Sequence, residues 1–291
     1  MQDTKMTLTS TSEFEKEVYT GLMDYPKHLS SKYFYDKKGD KLFQDIMAMP
    51  TYYLTDCEYE ILEDNKEEIT NLFTEFGAFD LIELGAGDGK KTKILLKEFS
   101  EKNVDFTYVP IDISDNALNQ LHNSIEKELP KIRVQPFQGT YFEALEDINS
   151  RKNRKIILFL GSNIGNLKHD QAKGFDQKKN PQTILDAYND KEGVTAAFNK
   201  NVLARINTEL NANFDLEQFL HWEVYNPETG SAKSYLVSKI EQKVRIEALD
   251  LNITFKPWET IHTEISQKYD DEIINWLAKE SGLEMTTAYQ S

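Results

Sequence analysis

The stretch Phe79–Thr92, FDLIELGAGDGKKT, decides the fold. Phe79 to Leu84 reads as a short buried strand with an acidic residue, Glu83, near its end. Gly85, Gly87 and Gly89 then alternate with Ala86 and Asp88 before KKTKILLKEF takes up helical spacing. A strand, a glycine turn and a helix make the first half of a βαβ unit. Glycines let the backbone pass close beneath a ligand, and a helix start offers unpaired N–H groups to a negative group. The spacing is not that of the dinucleotide fingerprint, whose sixth position is glycine; counted from Gly85, the sixth residue is Lys90. Further on, YVPIDIS predicts a second strand ending in Asp112, where a carboxylate can accept both hydroxyls of a ribose.

Working outward, Tyr59 to Phe76 predicts a long helix with Ile61, Leu62, Ile69, Leu72 and Phe73 on one face. Asn116 to Glu128 predicts another, with Leu118, Leu121 and Ile125 in register, and Ile132 to Pro136 a third strand. The most apolar strand, Ile156 to Leu160, runs into Gly161-Ser162-Asn163-Ile164-Gly165-Asn166. An open α/β sheet places its ligand at that carboxyl edge, which makes Asn166 a candidate substrate contact; a plain turn is the alternative. The segment LKHDQAKGFDQKKNPQTILDAYND leaves little room for a further helix and strand, and only Gly174-Phe175-Asp176 resembles the tail of one.

The flanks differ in character. FEKEVYTGLM predicts a helix, as do Leu42, Phe43, Ile46 and Met47. Tyr33-Phe34-Tyr35 and Tyr52-Tyr53 either pack over the mouth of a sheet or cap a small-molecule pocket. Asn189 to Leu210 reads as helical and FDLEQFLHWEVYN as a further short helix. Tyr235 to Ile240, Lys243 to Ala248, Asn252 to Phe255 and Glu259 to Gln267 alternate like antiparallel strands, and the last puts His262, Glu264 and Ser266 on one face. Asp271 to Ser281 predicts a closing amphipathic helix carrying Ile273, Ile274, Trp276 and Leu277.

Composition narrows the function classes. A chain of 291 residues with 39% hydrophobic content can bury a full core. The formal charge of −15 argues against nucleic acid or an anionic membrane as partner and favours a small molecule. With Cys57 alone and five scattered histidines, neither a disulfide nor a metal site is expected. No apolar run approaches the ~20 residues of a membrane span, and the first residues lack signal-peptide order, so a cytoplasmic protein is expected.

The spacing E-x-G-x-G-x-G at Glu83–Gly89 resembles the first motif of S-adenosylmethionine (SAM) dependent methyltransferases. With SKYFYDKKGDKLFQDIMAMPTYY, YVPIDIS, FLGSNIGN, GVTAAFNKNVLARINTEL and TEISQKY, the chain from Lys27 to Tyr269 resembles the L-histidine Nα-methyltransferases of ergothioneine biosynthesis, a family that includes fungal amino-acid N-methyltransferases. The resemblance implies an α/β, Rossmann-like methyltransferase core with a second, α+β substrate-binding domain. Residues 56–178 with 269–291 would form the first, and 1–55 with 179–268 the second. It implies methylation of the α-amine of histidine, through to the trimethylated betaine, by a monomer acting on a small-molecule amino acid. Another amino acid or aromatic amine, or SAM binding without catalysis, are the alternatives.

Carried over by position, Gly85, Gly87, Lys91, Asp112, Tyr141 and Phe142 would hold SAM, with Lys91 near its carboxylate and Asp112 on the ribose. Tyr35 would sit near the reacting amine, and Tyr52 and Phe43 would line the pocket. Asn166 and Tyr188 would hold the substrate carboxylate, Gly161 and Asn163 would lie near the amine, and Glu264 and Ser266 would read the imidazole. Three positions depart from the family. Gly139-Thr140-Tyr141-Phe142 stands where GDF is usual, Asn163 where threonine is usual, and Ser234 where the histidine enzyme has a pocket methionine.

Overall fold

The computed structural model describes residues 12–160, 176–280, 287 and 289, apart from the side chains at 142 and 145–147. The positions expected at Gly161, Asn163 and Asn166, and the side chain of Phe142, lie outside the described residues. In chain order the elements are α1 (Glu13–Met23), β1 (Lys27–His28), α2 (Lys37–Met47), α3 (Leu54–Thr74), β2 (Phe79–Leu84), α4 (Thr92–Glu101) and β3 (Phe106–Asp112). Then come α5 (Asp115–Glu128), β4 (Arg133–Val134), β5 (Phe137–Gln138), α6 (Tyr141–Asn149), β6 (Arg154–Leu158), β7 (Asp176–Gln177) and α7 (Pro181–Tyr188). The chain continues with α8 (Val194–Glu209), β8 (Phe219–Asn226), β9 (Ser231–Ser238), β10 (Gln242–Ile246), β11 (Leu251–Phe255), β12 (Thr260–Tyr269) and α9 (Asp271–Glu280).

The glycine-turn strand lies inside a wholly parallel sheet of order β4-β3-β2-β6, in which β5 continues beside β3. All six residues of β2 are buried, as an α/β sheet covered on both faces requires. Phe79 and Leu81 pack with Ile94, Leu95 and Phe99 of α4 and with Leu121 and Ile125 of α5. Ile82 and Leu84 face the other way, onto Ala144 and Ile148 of α6. This is the doubly wound α/β core expected. The third strand is broken in two because Pro136 cannot donate to the ladder; Gln135 N–H reaches Tyr108 O and Gly139 N–H reaches Asp112 O on either side of it.

A second, mixed sheet has the order β1-β12-β9-β8. Strands β8, β9 and β12 are antiparallel, while β1 and β7 run parallel to β12. The short helix expected across FDLEQFLHWEVYN is instead the strand β8. Phe219, His221 and Glu223 point inward while Leu220, Trp222 and Val224 stay exposed, a period of two that fits only a strand. The expected strand tail at Asp176 pairs with Lys268 and Tyr269 at the end of β12 rather than with the parallel sheet. The helix α7 was not expected, although Asn180 and Pro181 supply its N-cap and first position. Two residues assigned to buried faces are exposed: Leu72 at 46% and Trp276 at 57%.

One contact fastens the N-terminal segment onto the parallel sheet. The buried Asp40 of α2 accepts from Ser114 Oγ at 2.6 Å and Asn116 Nδ2 at 3.0 Å, at the start of α5. The turn that leads into α2 is equally fixed. Asn201 Nδ2 of α8 donates to Phe34 O and Asp36 Oδ1, and Gly39 lies so close that a Cβ there would sit 1.8 Å from Phe34 O. Gly39→Ala should therefore push the Tyr33–Asp36 turn off α8 and lower stability by about 2 kcal/mol or more, read as a fall in urea midpoint at unchanged slope. An unchanged midpoint would show that the turn yields freely.

Candidate active site

The carboxyl edge of the parallel sheet opens into a cavity of about 320 Å³. Gly85, Gly87 and Asp112 form its floor, Tyr141 one wall, and Tyr35 and Phe43 its roof. Gly85, Gly87 and Gly89 all have positive φ, and a Cβ on Gly87 would meet nothing within 4 Å. The backbone at Gly87 thus faces open space that a larger residue would begin to fill. Asp112 accepts from Gly87 N–H and Ser114 N–H, each at 2.9 Å, so the carboxylate is oriented by backbone before any ligand arrives. Its pKa is raised, mainly by burial, with those N–H groups acting in opposition.

Beneath the turn, Glu83 is buried and receives hydrogen bonds from Thr92 Oγ1 and Tyr108 OH. Burial pushes its carboxyl up to about 7, beyond what those hydrogen bonds recover. A smaller recess of about 50 Å³ shares Phe43, Gly85 and Gly87 with the main cavity and runs on past Tyr52 and Lys91. Lys91 is ion-paired there with Glu58 of α3. The expected SAM contacts Gly85, Gly87, Lys91, Asp112 and Tyr141 are therefore all at these two connected recesses.

Tyr35 meets Phe43 and Phe198 edge-on, at 5.6 and 5.4 Å between centroids. Its phenol is held well above the usual range, first by burial and then by Glu264, Tyr52, Tyr141 and Asp112. Those neighbours come from both sheets, so Tyr35 stands where the cavity floor and β12 converge. A phenol so shifted stays protonated at neutral pH and can donate a hydrogen bond, but it is no base.

On the second sheet, a β-bulge falls between His262 and Glu264. The alternation expected across β12 is broken there: Ile261, Glu264 and Ser266 pair with Leu236, Ser234 and Ala232, all on one face, and His262 turns to the other beside Tyr235. Beside Glu264, the expected Tyr188 and Ser266 belong to a group whose other members, Lys268, Asp176 and His221, sequence reasoning missed. Lys268, fully enclosed, donates to Ser266 Oγ and Tyr188 OH, each at 2.8 Å, and pairs with Asp176 at 2.7 Å. Tyr188 OH and Ser266 Oγ are themselves 2.9 Å apart. His221 Nε2 lies 3.0 Å from Tyr188 O, and its Nδ1 2.8 Å from Asn199 Nδ2. Burial lowers the pKa of His221, and the neutral ring fixes the backbone of Tyr188 by donating from Nε2. The alternating pattern of TEISQKY did carry a signal: Lys268 is two residues past Ser266 and so shares its buried face.

Among the described residues no group of side chains could hold a metal ion, and no helix is long and apolar enough to cross a membrane. A glycine turn at the carboxyl edge of a parallel sheet, with an acid at the next strand end, defines a nucleoside-binding α/β enzyme. A family model described as "Histidine-specific methyltransferase, SAM-dependent" matches residues 14–175 and 173–291. The chain belongs to this family and is a SAM-dependent methyltransferase. The Histidine N-alpha-methyltransferase of Mycolicibacterium smegmatis is 35% identical over 93% of this chain and 89% of its own length. The Ergothioneine biosynthesis protein 1 of Schizosaccharomyces pombe is 27% identical over 90% of this chain and 37% of its own length. An L-tryptophan methyltransferase of Psilocybe serbica is 26% identical, over 97% and 91%.

Two buried groups give measurable consequences. Glu83 holds a proton in the folded state up to about pH 7, whereas the unfolded chain releases it near the ordinary carboxyl value of 4.5. Its contribution is thus full below pH 4.5 and lost as pH rises through 7, about 3 kcal/mol in all. Glu83→Gln should flatten the fall in stability between pH 5 and 7.5 by roughly that amount, and superimposable pH profiles would refute it. Lys268→Met takes the enclosed cation from Asp176, leaving it Lys179 at 3.7 Å and Tyr53 OH at 3.2 Å, and should cost about 3 kcal/mol in chemical denaturation, while adding Asp176→Asn should recover much of the loss. Additive losses in the double variant would show that the pair is not coupled.

Proposed function

We propose that this chain transfers methyl groups from SAM to the α-amine of L-histidine, through to the trimethylated betaine. The reaction would occur in a pocket between a methyltransferase domain (56–178 with 269–291) and a substrate domain (1–55 with 179–268). The observation that supports the reading is the place of Tyr35, which lines the glycine-turn cavity with Gly85, Gly87 and Asp112 and packs edge-on against Phe198 of α8. A cofactor held by the glycine turn and a substrate held from the second sheet would meet beside it. A small-molecule amino acid handled by a cytoplasmic monomer fits the acidic composition.

The recesses fit SAM on their own chemistry. The open backbone at Gly87, the oriented carboxylate of Asp112, the cation of Lys91 and the aromatic wall of Tyr141 match a nucleoside joined to an amino acid. When bound, SAM supplies a methyl group already activated by positive sulfur. The protein's part is then to orient the amine. A free α-amine has a reference pKa near 7.7–8.0, so a useful neutral fraction exists at neutral pH and a strong base is not required. Tyr35, held protonated, orients the amine without removing its proton. Lys268 donates to Tyr188 and Ser266 from beneath, and with Ser266 Oγ donating on to Tyr188 OH the phenol keeps its own proton for the substrate. Tyr188 then donates to the substrate carboxylate, Ser266 lies beside the ring, and Glu264 accepts from the ring N–H. Tyr52 and Phe43 wall the ring in.

A second reading, methylation of a different amino acid, has one observation in its favour: Ser234 opposite Glu264 is polar, where the resemblance implies methionine. Mass spectrometry after incubation with SAM and each of the twenty amino acids separates the two. Three methyls gained by histidine alone is the expected result; methylation of another amino acid would move the specificity while keeping the chemistry. Glu264→Ala should lower kcat/KM for histidine by roughly 10- to 150-fold, the worth of a hydrogen bond to a charged group, and leave SAM binding by titration calorimetry unchanged. Undiminished selectivity for histidine would disprove the assignment of Glu264.

A further inference from the structure

The cavity above the glycine turn is lined by two carboxylates, and the reading above uses only one of them. Asp112 enters from the floor, at the end of β3, and Asp40 from the roof, on α2. Ser114 ties the two together: its N–H donates to Asp112 Oδ1 at 2.9 Å and its hydroxyl to Asp40 Oδ2 at 2.6 Å. Whatever reaches the one acid is therefore within reach of the other. Docking of α2 on α5 accounts for only half of Asp40. Its Oδ2 takes both donors, Ser114 Oγ and Asn116 Nδ2, while its Oδ1 makes no hydrogen bond among the described residues, although the residue is only 9% exposed. Lys32, the cation among the residues that line the cavity, is committed to Glu13 and Glu17 of α1. Burial raises the pKa of Asp112 most, and Asp40 is the foremost charge that raises it further. Two acids so placed are relieved by a ligand that brings a hydrogen-bond donor to each.

We propose that Asp40 is a second ribose-binding residue, so that the cofactor's vicinal diol donates to Asp112 from one hydroxyl and to Asp40 Oδ1 from the other. Each oxygen of Asp112 already accepts a backbone N–H, one from Ser114 and one from Gly87, whereas Oδ1 of Asp40 has both lone pairs open. A ribose held in this way bridges floor and roof, because Asp40 belongs to the helix that carries Phe43 and starts just after Tyr35. Cofactor binding thereby fastens the N-terminal segment to the parallel sheet. The inference rests on the reading of this cavity as the SAM site.

The test is titration calorimetry with S-adenosylhomocysteine, which is what remains of SAM once the methyl is gone, and with its 2′-deoxy and 3′-deoxy forms. Wild type should bind each deoxy form about tenfold more weakly than the parent, the worth of one hydrogen bond to a charged group. Asp40→Asn, which keeps the shape and removes the charge, should weaken binding of the parent about tenfold and yet bind one of the two deoxy forms within about twofold of wild type. Asp40→Ser serves if the asparagine variant does not fold, with the same pattern expected. Asn116→Ala takes a donor from the dock and keeps the carboxylate, so it should leave the parent-to-deoxy ratios at their wild-type values. An equal loss on all three ligands in the Asp40 variants would overturn the inference alone, because that is what a merely docking acid gives, and so would an undiminished affinity for the parent. A wild-type protein that does not bind S-adenosylhomocysteine would instead sink the reading of the cavity and the inference with it.

Discussion

The enclosed ammonium of Lys268 is the constraint on which the part of the molecule built on the second sheet depends. A lysine with no solvent contact survives only if its charge is met on every side, and here Asp176, Tyr188 and Ser266 meet it. Each partner comes from a different part of the chain: β7, the end of α7 and β12 itself. The pairing of β7 with the last residues of β12 brings Asp176 into reach, and Tyr53 OH adds a contact to the same carboxylate at 3.2 Å. The ion pair therefore organises rather than simply stabilises. Replaced by apolar residues of equal volume, it need not cost the fold much, but the directions of the Tyr188 and Ser266 protons would be lost.

The part built on the parallel sheet rests on a different device. Parallel strands bring their carboxyl ends to one edge, and there the glycine turn keeps side chains out while Asp112 is oriented by two backbone N–H groups. Asp40 then docks α2 on the first turn of α5, so the roof that carries Tyr35 and Phe43 is positioned by the element beside Asp112. Neither half contains the whole site. The N-terminal segment joins them because it touches both: Asp40 reaches the parallel sheet, and Phe34 and Asp36 are fixed by Asn201 of α8.

What the sequence disclosed follows from how local the governing physics is. Strand β2, its glycine turn and α4 were legible because each is dictated by a few neighbouring residues. Asp112 was legible because the carboxyl end of a strand in an open α/β sheet can be read from a few neighbouring residues. Strand β8 was misread as helix: its exposed face carries Leu220, Trp222 and Val224, and apolar residues on both faces hide a period of two. The bulge that separates His262 from Glu264 was likewise invisible, since one extra residue in a ladder depends on the partner strand. Lys268 and Asp176 are ordinary surface residues by composition, and only the fold brings together side chains 92 positions apart. Asp40 was passed over for the same reason, as its partners Ser114 and Asn116 lie 74 and 76 positions away.

The charge distribution limits how this site can accelerate methyl transfer. Tyr35, Tyr188 and Tyr141 are all held protonated, Glu83 and Glu223 hold their protons to about 7 and 8, and Asp112 and Glu264 supply acceptor oxygens. Such surroundings suit the cationic sulfonium of SAM. Yet the reaction moves one positive charge a short way, from sulfur to nitrogen, within the same acidic enclosure. An electrostatic field that favours the charge at its origin favours it nearly as well at its destination, and such uniform binding lowers KM without raising kcat. On the proposed reading the rate comes from geometry: the hydroxyls held by Lys268, the bulge that aims Glu264, and the tyrosine roof over the amine. That is why so much of the chain is spent on positioning a few neutral hydrogen-bonding groups, and why a protein with this chemistry has no need of a strong base.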